Sequence, residues 1–319
     1  MIPTSSKGPE GVAPEPPRVH AVVLSWNGAH LLPDCLAAVR RQDAPARIHT
    51  VVVDNGSSDG TAEILARQFG EIEHLRLPEN IGYGRANNEA IRRALAAGAE
   101  FVALINNDVE LAPDWLRVLL EAARLHPEAA LFTGTLLFRG EEVVNSTGLT
   151  IDAFGRARDR DFRVPLAQLA RKDGPVTGVS GGAALLRASM LREVGVFDPG
   201  YFAYYEDVDL SLRAARAGHL SWYVRSATAR HRFGATFVAG SPQQRYLLGV
   251  GHLRTVALHQ PLLKAAALVP LTVLYRALVK APLMLLRWKP ALAWAELRAA
   301  AAGGGAALRA FSGRSPPPP

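Results

Sequence analysis

Residues 48–61, IHTVVVDNGSSDGT, decide the architecture of this chain. Three consecutive valines behind Ile48 read as a strand buried on both faces, and the run stops at a carboxylate followed by turn formers. A helix is expected from about Asp59 to Phe69, so the segment is a strand, a polar turn and a helix. The same unit recurs on either side. RVHAVVLSWN (18–27) is a buried strand followed by an amphipathic helix over 29–42. IEHLRLPEN (72–80) is a third strand, followed by a helix over 83–98 that ends at Gly98, a plausible C′ glycine. EFVALINNDVEL (100–111) is a fourth strand, and the helix over 112–126 carries Pro113 in its first turn. Strands alternating with helices at this spacing predict an α/β fold, a mostly parallel sheet with helices on both faces.

The second half is less regular. AALFTGTLLF (129–138) and EVVNSTGLTI (142–151) read as a strand pair, and residues 152–175, rich in Arg and Asp, as a mobile loop. Residues 176–195 read as a strand, a glycine turn and a helix. EDVDLSLRAARAG (206–218) is a helix ended by Gly218, and SWYV (221–224) a short strand. Residues 1–17 and 312–319, rich in proline, read as disordered tails. Residues 18–240 then form the catalytic unit and 241–311 a helical segment.

Charge is divided unevenly. Residues 1–209 carry 21 Lys and Arg against 28 Asp and Glu; residues 210–319 carry 15 against 1. A basic and strongly apolar C-terminal part calls for an anionic lipid surface rather than nucleic acid. In 262–288, Lys264, Arg276, Lys280 and Arg287 interrupt the apolar run before about 18 residues, and the last three are spaced close to one helical face. The expected arrangement is a helix lying in a membrane interface with a basic stripe. The alternative is a helix packed on the catalytic unit. The single cysteine, Cys35, allows no internal disulfide and fits a reducing compartment; the expected localisation is cytoplasmic, peripheral to the inner face of the plasma membrane.

In open parallel sheets, ligands bind at the carboxyl ends of the strands. Here those ends read Ser25-Trp26-Asn27, Asp54-Asn55-Gly56-Ser57 and Asn106-Asn107-Asp108. Any one is ordinary turn chemistry; three in succession favour a polar ligand. Asp108 either caps the following helix or holds a hard divalent cation. Glu206, Asp207 and Asp209 open a helix whose dipole favours acids, and Asp209 is assigned to that role. Glu206 and Asp207 diverge by about 100° and cannot share one task. His231 is a lone histidine, a candidate ligand. GYGRAN (82–87) lacks the third glycine of a dinucleotide fingerprint and does not sit on the first strand–helix turn.

Taken together, VVLSWNG, VVVDNGSSDGT, ENIGYGRANNEAI, LINNDVEL, VSGGAALLR, VGVFDPGYFAYYEDVDLSLRAARAG and ARHRFGAT resemble glycosyltransferase family 2, of GT-A fold, and most closely its bacterial rhamnosyltransferase-like members. The resemblance runs in order from about residue 19 to 237. It implies an inverting, metal-dependent transferase that moves one sugar from a nucleotide-sugar donor, dTDP-rhamnose or a UDP-sugar, to a glycan or polyprenyl-diphosphate-linked acceptor. By that resemblance Ser25 and Asn27 flank the nucleotide and Asp54 reads the base. Asn80, Gly82, Asn88 and Gly181 shape the pocket. Asn106-Asn107-Asp108 stands where the family often has Asp-x-Asp, which leaves Asp108 the principal ligand of Mg2+ or Mn2+, with His231 completing the site. Asp207 takes the place of the general base and Glu206 assists it. QQRY (243–246) departs from the Gln-x-x-Arg-Trp of processive relatives, so one sugar per encounter is expected. A nucleotidyltransferase would need a glycine-rich basic loop that SWNGAHLLPD does not supply. A catalytically dead membrane scaffold would not need Asp108, Asp207 and His231.

Overall fold

A computed structural model describes residues 15–232, 234 and 240–312. Residues 1–14 and 313–319 of the expected tails lie outside the described residues, as do positions 233 and 235–239. The chain opens with β1 (Arg18–Ser25), α1 (Leu32–Arg40), β2 (Arg47–Asp54), α2 (Thr61–Gln68), β3 (Glu73–Arg76), α3 (Tyr83–Ala96) and β4 (Phe101–Asn106). These alternate as expected. β1 pairs in parallel with both β2 and β4, and β2 in parallel with β3. Because all four strands run the same way, Ser25, Asp54 and Asn106 end on one edge of the sheet, Ser25 directly opposite Asp54.

Strand alternation sorts the core into two layers. Val19, Ala21 and Val23 pack with Leu32 and Leu36 of α1 on one face. Val22, Val51 and Val53 pack with Ala90 and Ile91 of α3 on the other. Each fully buried branched side chain stabilises the fold by about 1.5–3 kcal/mol, so two covered faces hold the sheet rigid under its carboxyl edge. Pro113 lies just before α4 (Trp115–Leu125), outside its first turn, with Asp114 at the N-cap.

The remaining strands are β5 (Val109–Leu111), β6 (Ala129–Phe138), β7 (Val144–Ser146), β8 (Leu149–Ile151), β9 (Ala157–Asp159), β10 (Gly174–Val176), β11 (Ala183–Arg187) and β12 (Leu220–His231). The main sheet has the order β10-β12-β6-β11-β4-β1-β2-β3, with β5 on β12 and β7 on β6. β11 enters antiparallel between β4 and β6. Gly134 lets β6 approach the irregular centre of β12: a Cβ there would lie 1.7 Å from the Ala227 carbonyl oxygen.

Three expectations about this half are corrected. Residues 152–175 are not one loop. They hold β9, paired with β8, and a short 3-10 turn, and lead into the edge strand β10. Arg160 anchors the stretch by donating to the Thr147 hydroxyl and carbonyl at 2.9 and 2.8 Å. The Ser180–Gly182 turn precedes β11, so strand and α5 (Ala188–Val194) follow the glycines directly. β12 is twelve residues long, and His231 is its last residue rather than a residue beyond a short strand.

α6 (Glu206–Arg216) is followed by α7 (Pro242–His259), α8 (Leu262–Tyr275), α9 (Ala281–Leu286) and α10 (Pro290–Ser312), with one π-helical turn, Arg276–Lys280, joining α8 to α9. The Ser241 hydroxyl caps α7 by accepting from the Gln244 N–H at 3.2 Å. Small residues let α7 and α10 approach closely: a Cβ on Gly249 would lie 2.6 Å from Ala299, and one on Gly303 2.5 Å from Leu253. α7 is tied to the sheet unit by His259 on Asp209 (2.7 Å), Arg254 on Asp198 (2.7 Å) and Thr255 on the Tyr201 hydroxyl (2.8 Å).

The basic stripe is also corrected. Arg276 is buried and bonded to the wholly buried Glu296, and Lys280 is half-buried with its ammonium 3.8 Å from the same carboxylate. Charge attraction rotates two of the three cations inward. What remains outside is mostly apolar, including Leu271, Leu274, Leu278 and Leu286, with Trp288 beyond them, alongside the exposed Lys264 and Arg287. Leu262–Leu286 forms a helical run of 25 residues with mean hydropathy 1.7, long and apolar enough to cross a membrane. Of the charges within the run, Arg276 and Lys280 turn inward and Lys264, near its start, stays exposed.

Candidate active site

At the carboxyl edge of the sheet lies a cleft of about 280 Å³. Its wall includes Asn55, Asn80 and Gly82 on the β2–α3 side, Asn106, Asn107 and Asp108 after β4, Gly181 before β11, Glu206 and Asp207 of α6, and His231 of β12. Four of the expected site residues are not in the wall. Ser25 accepts a hydrogen bond from Asn107 Nδ2 at 2.9 Å, and Asn27 accepts one from the Ser58 N–H at 2.9 Å. Asp54 is wholly buried; its Oδ1 accepts from the Ser57 N–H, while Oδ2 is buried without a hydrogen bond. Asn88 spends its amide on the Phe197 backbone, donating to the carbonyl at 2.8 Å and accepting from the N–H at 3.0 Å. These four brace the wall from behind.

α6 is aimed by a strained turn. Tyr204 and Tyr205 have φ of 66° and 75°, the left-handed region that costs a bulky residue roughly 1–2 kcal/mol each. Packing compensates. The Tyr205 hydroxyl accepts from the Ala157 N–H at 3.2 Å, and the Tyr204 hydroxyl accepts from Gln244 Nε2 at 3.2 Å. Gly251 of α7 sits against the turn, where a Cβ would lie 2.8 Å from the Tyr204 carbonyl oxygen. The reversal sets Glu206 and Asp207 in the first turn of α6.

Asp207 Oδ2 accepts from the Gly181 N–H at 3.0 Å and Oδ1 from the Val208 N–H at 2.8 Å. Burial nevertheless raises its pKa. Glu206 is raised well above the ordinary glutamate value, first by burial and then by the charge of Asp207, and its Oε2 has no hydrogen-bond partner. The Tyr83 hydroxyl donates to the Gly181 carbonyl at 2.6 Å, fixing the peptide that holds Asp207.

Across the cleft, His231 Nδ1 lies 2.8 Å from Asn145 Oδ1. An amide oxygen only accepts, so Nδ1 carries a proton and donates to Asn145. Nε2 is 3.2 Å from Asp108 Oδ1, a buried oxygen with no hydrogen-bond partner; Asn106 Oδ1 is orphaned in the same way. Two buried oxygens without hydrogen bonds beside an imidazole nitrogen fit a divalent cation such as Mg2+ or Mn2+. Among the described residues no group of three His, Cys, Asp or Glu side chains could hold a metal by itself. A cation here would complete its shell with substrate oxygens, as Mg2+ commonly does.

Sequence reading missed Asn55, Tyr83, Asn145 and Asp159, all of which line the cleft or, for Tyr83, hold its wall. Asp159 is pushed up to about 6, mostly by burial, with the Asp207 charge adding and a Ser146 hydrogen bond opposing. Asn55 stood beside the expected Asp54 and was legible as part of that turn. Asn145 reaches the cleft on the expected β6–β7 pair, whereas Asp159 reaches it through the β8–β9 pairing inside the stretch read as a loop.

The family model described as glycosyl transferase family 2 matches residues 21–195. An N-acetylglucosaminyl-diphospho-decaprenol L-rhamnosyltransferase of Mycobacterium tuberculosis is 31% identical over 204 residues, 58% of this chain and 66% of the relative, so the chain spans about two thirds of that protein's length. A poly-beta-1,6-N-acetyl-D-glucosamine synthase of Staphylococcus epidermidis is 23% identical over 195 residues, 60% of this chain and 44% of the relative. Among solved structures, a mannosyltransferase from Pyrobaculum calidifontis in complex with GDP-Man and Mn2+ aligns with TM-score 0.54 at 20% identity, covering 96% of this chain and 91% of the other. TarS of S. aureus aligns with TM-score 0.56 at 15% identity, covering 92% and 54%. These two likenesses establish the fold.

Proposed function

The chain belongs to glycosyl transferase family 2, and from that premise we propose that it transfers one sugar, with inversion, from a nucleotide-sugar donor to a hydroxyl of a polyprenyl-diphosphate-linked or glycan acceptor. The single observation that carries this reading is Asp207: a carboxylate of raised pKa, held by two backbone N–H groups, inside a cleft whose opposite wall carries orphaned metal-type donors. An inverting displacement needs one base within reach of the acceptor hydroxyl, and a raised carboxylate is a better proton acceptor than an ordinary one. Asp207 takes the hydroxyl proton as the acceptor oxygen attacks the anomeric carbon. Glu206, whose pKa burial raises well above the ordinary glutamate value, adjoins Asp207 in the cleft and assists with orienting the acceptor or the base.

On the donor side, Asp108, Asn106 and His231 Nε2 would hold Mg2+ or Mn2+. The bound cation supplies Lewis-acid stabilisation of the departing diphosphate. The Mn2+ in the mannosyltransferase structure supports this choice. Asn55, Asn80 and Gly82 border the nucleotide end, while Asp54 stands behind them with its Oδ2 3.6 Å from His74 Nε2 and 3.7 Å from Arg76 Nε. The name of the mycobacterial relative supports a rhamnosyl donor and a diphospho-lipid acceptor. The apolar outer face of Leu262–Leu286 supports contact with the membrane that carries such a lipid.

The test is direct. Purified protein is incubated with Mn2+, a panel of dTDP- and UDP-sugars and a short polyprenyl-diphosphate N-acetylglucosamine, and the product is read by mass spectrometry and its anomeric configuration by NMR. An inverted disaccharide from one donor is expected. Retained configuration would remove the single-displacement reading, and absence of transfer from every donor would remove the transferase reading for these acceptors.

A further inference from the structure

Glu296 is the only acid after Asp209 in the sequence, and folding gathers cations around it. Arg276 Nη1 lies 2.5 Å from Oε2, and Arg245 Nη1 and Lys280 Nζ lie 3.0 and 3.8 Å from Oε1. Arg156 adds a fourth cation. Its guanidinium sits 5.9 Å from the Tyr275 ring, which Lys280 approaches at 5.8 Å. The nearby Asp152 has its Oδ1 engaged by the backbone N–H groups of Phe154 and Arg156. Four cations against these two acids leave an excess of two positive charges.

Such an excess in a half-buried place is costly unless an anion offsets it. The hydrogen bonding is unfinished as well. Arg276 is more than nine-tenths buried, and its Nε, like that of Arg245, is buried with no acceptor. Burial, followed by Arg276, Arg156 and Arg245, lowers the Lys280 pKa against the opposing pull of Glu296. Several N–H donors and a surplus of charge match an anion with several oxygens, which is phosphate chemistry.

The place of the cluster selects among phosphates. On one side is Tyr205, a cleft residue whose hydroxyl feels the charges of Arg276 and Arg156. On the other are the exposed Tyr275, Leu278 and Val279 of the apolar run. We propose that Arg156, Arg245, Arg276 and Lys280 form a diphosphate subsite for a lipid-linked acceptor, whose tail lies along the apolar run and whose sugar enters the cleft past Tyr205. This rests on the proposed transfer to such an acceptor and adds the residues that select it.

The experiment uses the full chain in detergent, titrated with farnesyl diphosphate, farnesol and inorganic diphosphate. Lys280→Gln and Arg156→Gln are chosen because both leave Glu296 paired with Arg245 and Arg276. Each should weaken farnesyl diphosphate binding about tenfold or more, the scale of one lost charge-assisted contact. Farnesol should bind more weakly than farnesyl diphosphate to the wild type and equally to all variants. Donor nucleotide binding should not change, and Arg124→Gln on α4 should leave farnesyl diphosphate binding at the wild-type level. Farnesyl diphosphate binding within twofold of wild type in both variants overturns the subsite. So does a loss confined to inorganic diphosphate or to phosphatidylglycerol vesicles, which would assign the cluster to free phosphate or to bulk lipid. Transfer separates the two proposals. A wild type that transfers to the lipid acceptor beside variants of unchanged KM sinks the subsite alone. A wild type that binds farnesyl diphosphate through these residues but transfers nothing sinks the transfer reading alone.

Discussion

Asp207→Asn is the most informative single change. The substituted amide keeps the volume of the carboxylate but not its symmetry. Asp207 accepts through both oxygens, from Gly181 at Oδ2 and from Val208 at Oδ1. Asn has one accepting oxygen, so one of the two N–H groups must face an NH2, a loss of about 1 kcal/mol. Removing a buried charge works in the opposite sense. A raised folded pKa means that the ionised form costs the fold stability, a cost absent below the usual aspartate range near 3.8 and present in full above the folded pKa. Above that window the two effects oppose each other; below it only the lost hydrogen bond remains. The stability deficit of the variant should therefore be larger at pH 3 than at pH 7, a comparison that thermal unfolding at the two pH values reads. Turnover should fall by about 10²–10⁴-fold, the usual loss for a positioned base, equivalent to about 3–5 kcal/mol on the barrier. Donor affinity should stay within about twofold, because the contacts of Asp207 are to the protein. The wild-type rate should fall on the acid side through a pKa above the ordinary carboxylate range, since only the ionised base accepts a proton. Stopped assays of kcat and titration of the donor nucleotide give both numbers. Turnover within threefold of wild type, with donor binding intact, would refute the assignment.

Three further outcomes are expected. Asp108→Ala should weaken nucleotide binding in Mn2+ but not in chelator, measured by calorimetry; equal weakening in both would remove Asp108 from the metal. Glu296→Gln should lower stability by about 3–5 kcal/mol, because Arg276 and Arg245 lose their buried counter-charge, and a melting temperature within a degree of wild type would contradict the cluster geometry. Gly134→Ala should unfold the β6–β12 pairing, since backbone rather than a flexible side chain stands 1.7 Å from the new Cβ; normal expression and melting would show that the strands separate more easily than their packing indicates.

The alternation of Val19, Ala21 and Val23 against Val22 was enough to place helices on both faces of a parallel sheet, because strand periodicity is local and burial follows it. The polar strand ends were legible for the same reason: parallel strands share one carboxyl edge, so Asn106 and Asp108 were bound to meet the turn after Asp54. The motifs then identified the family and singled out Asp207. Tertiary structure alone decided which polar residues face the cleft. Asn88 and Ser25 carry suitable groups but spend them on Phe197 and Asn107, whereas Asp159 arrives through a β8–β9 pairing in a stretch that reads as a loop. It also reversed the reading of the C-terminal helices. Residue spacing put Arg276, Lys280 and Arg287 on one face, but a single buried carboxylate twenty residues after Arg276 draws two of them inward. Spacing along a helix determines which side chains share a side; which side is buried depends on partners far along the chain, and only the folded structure contains them.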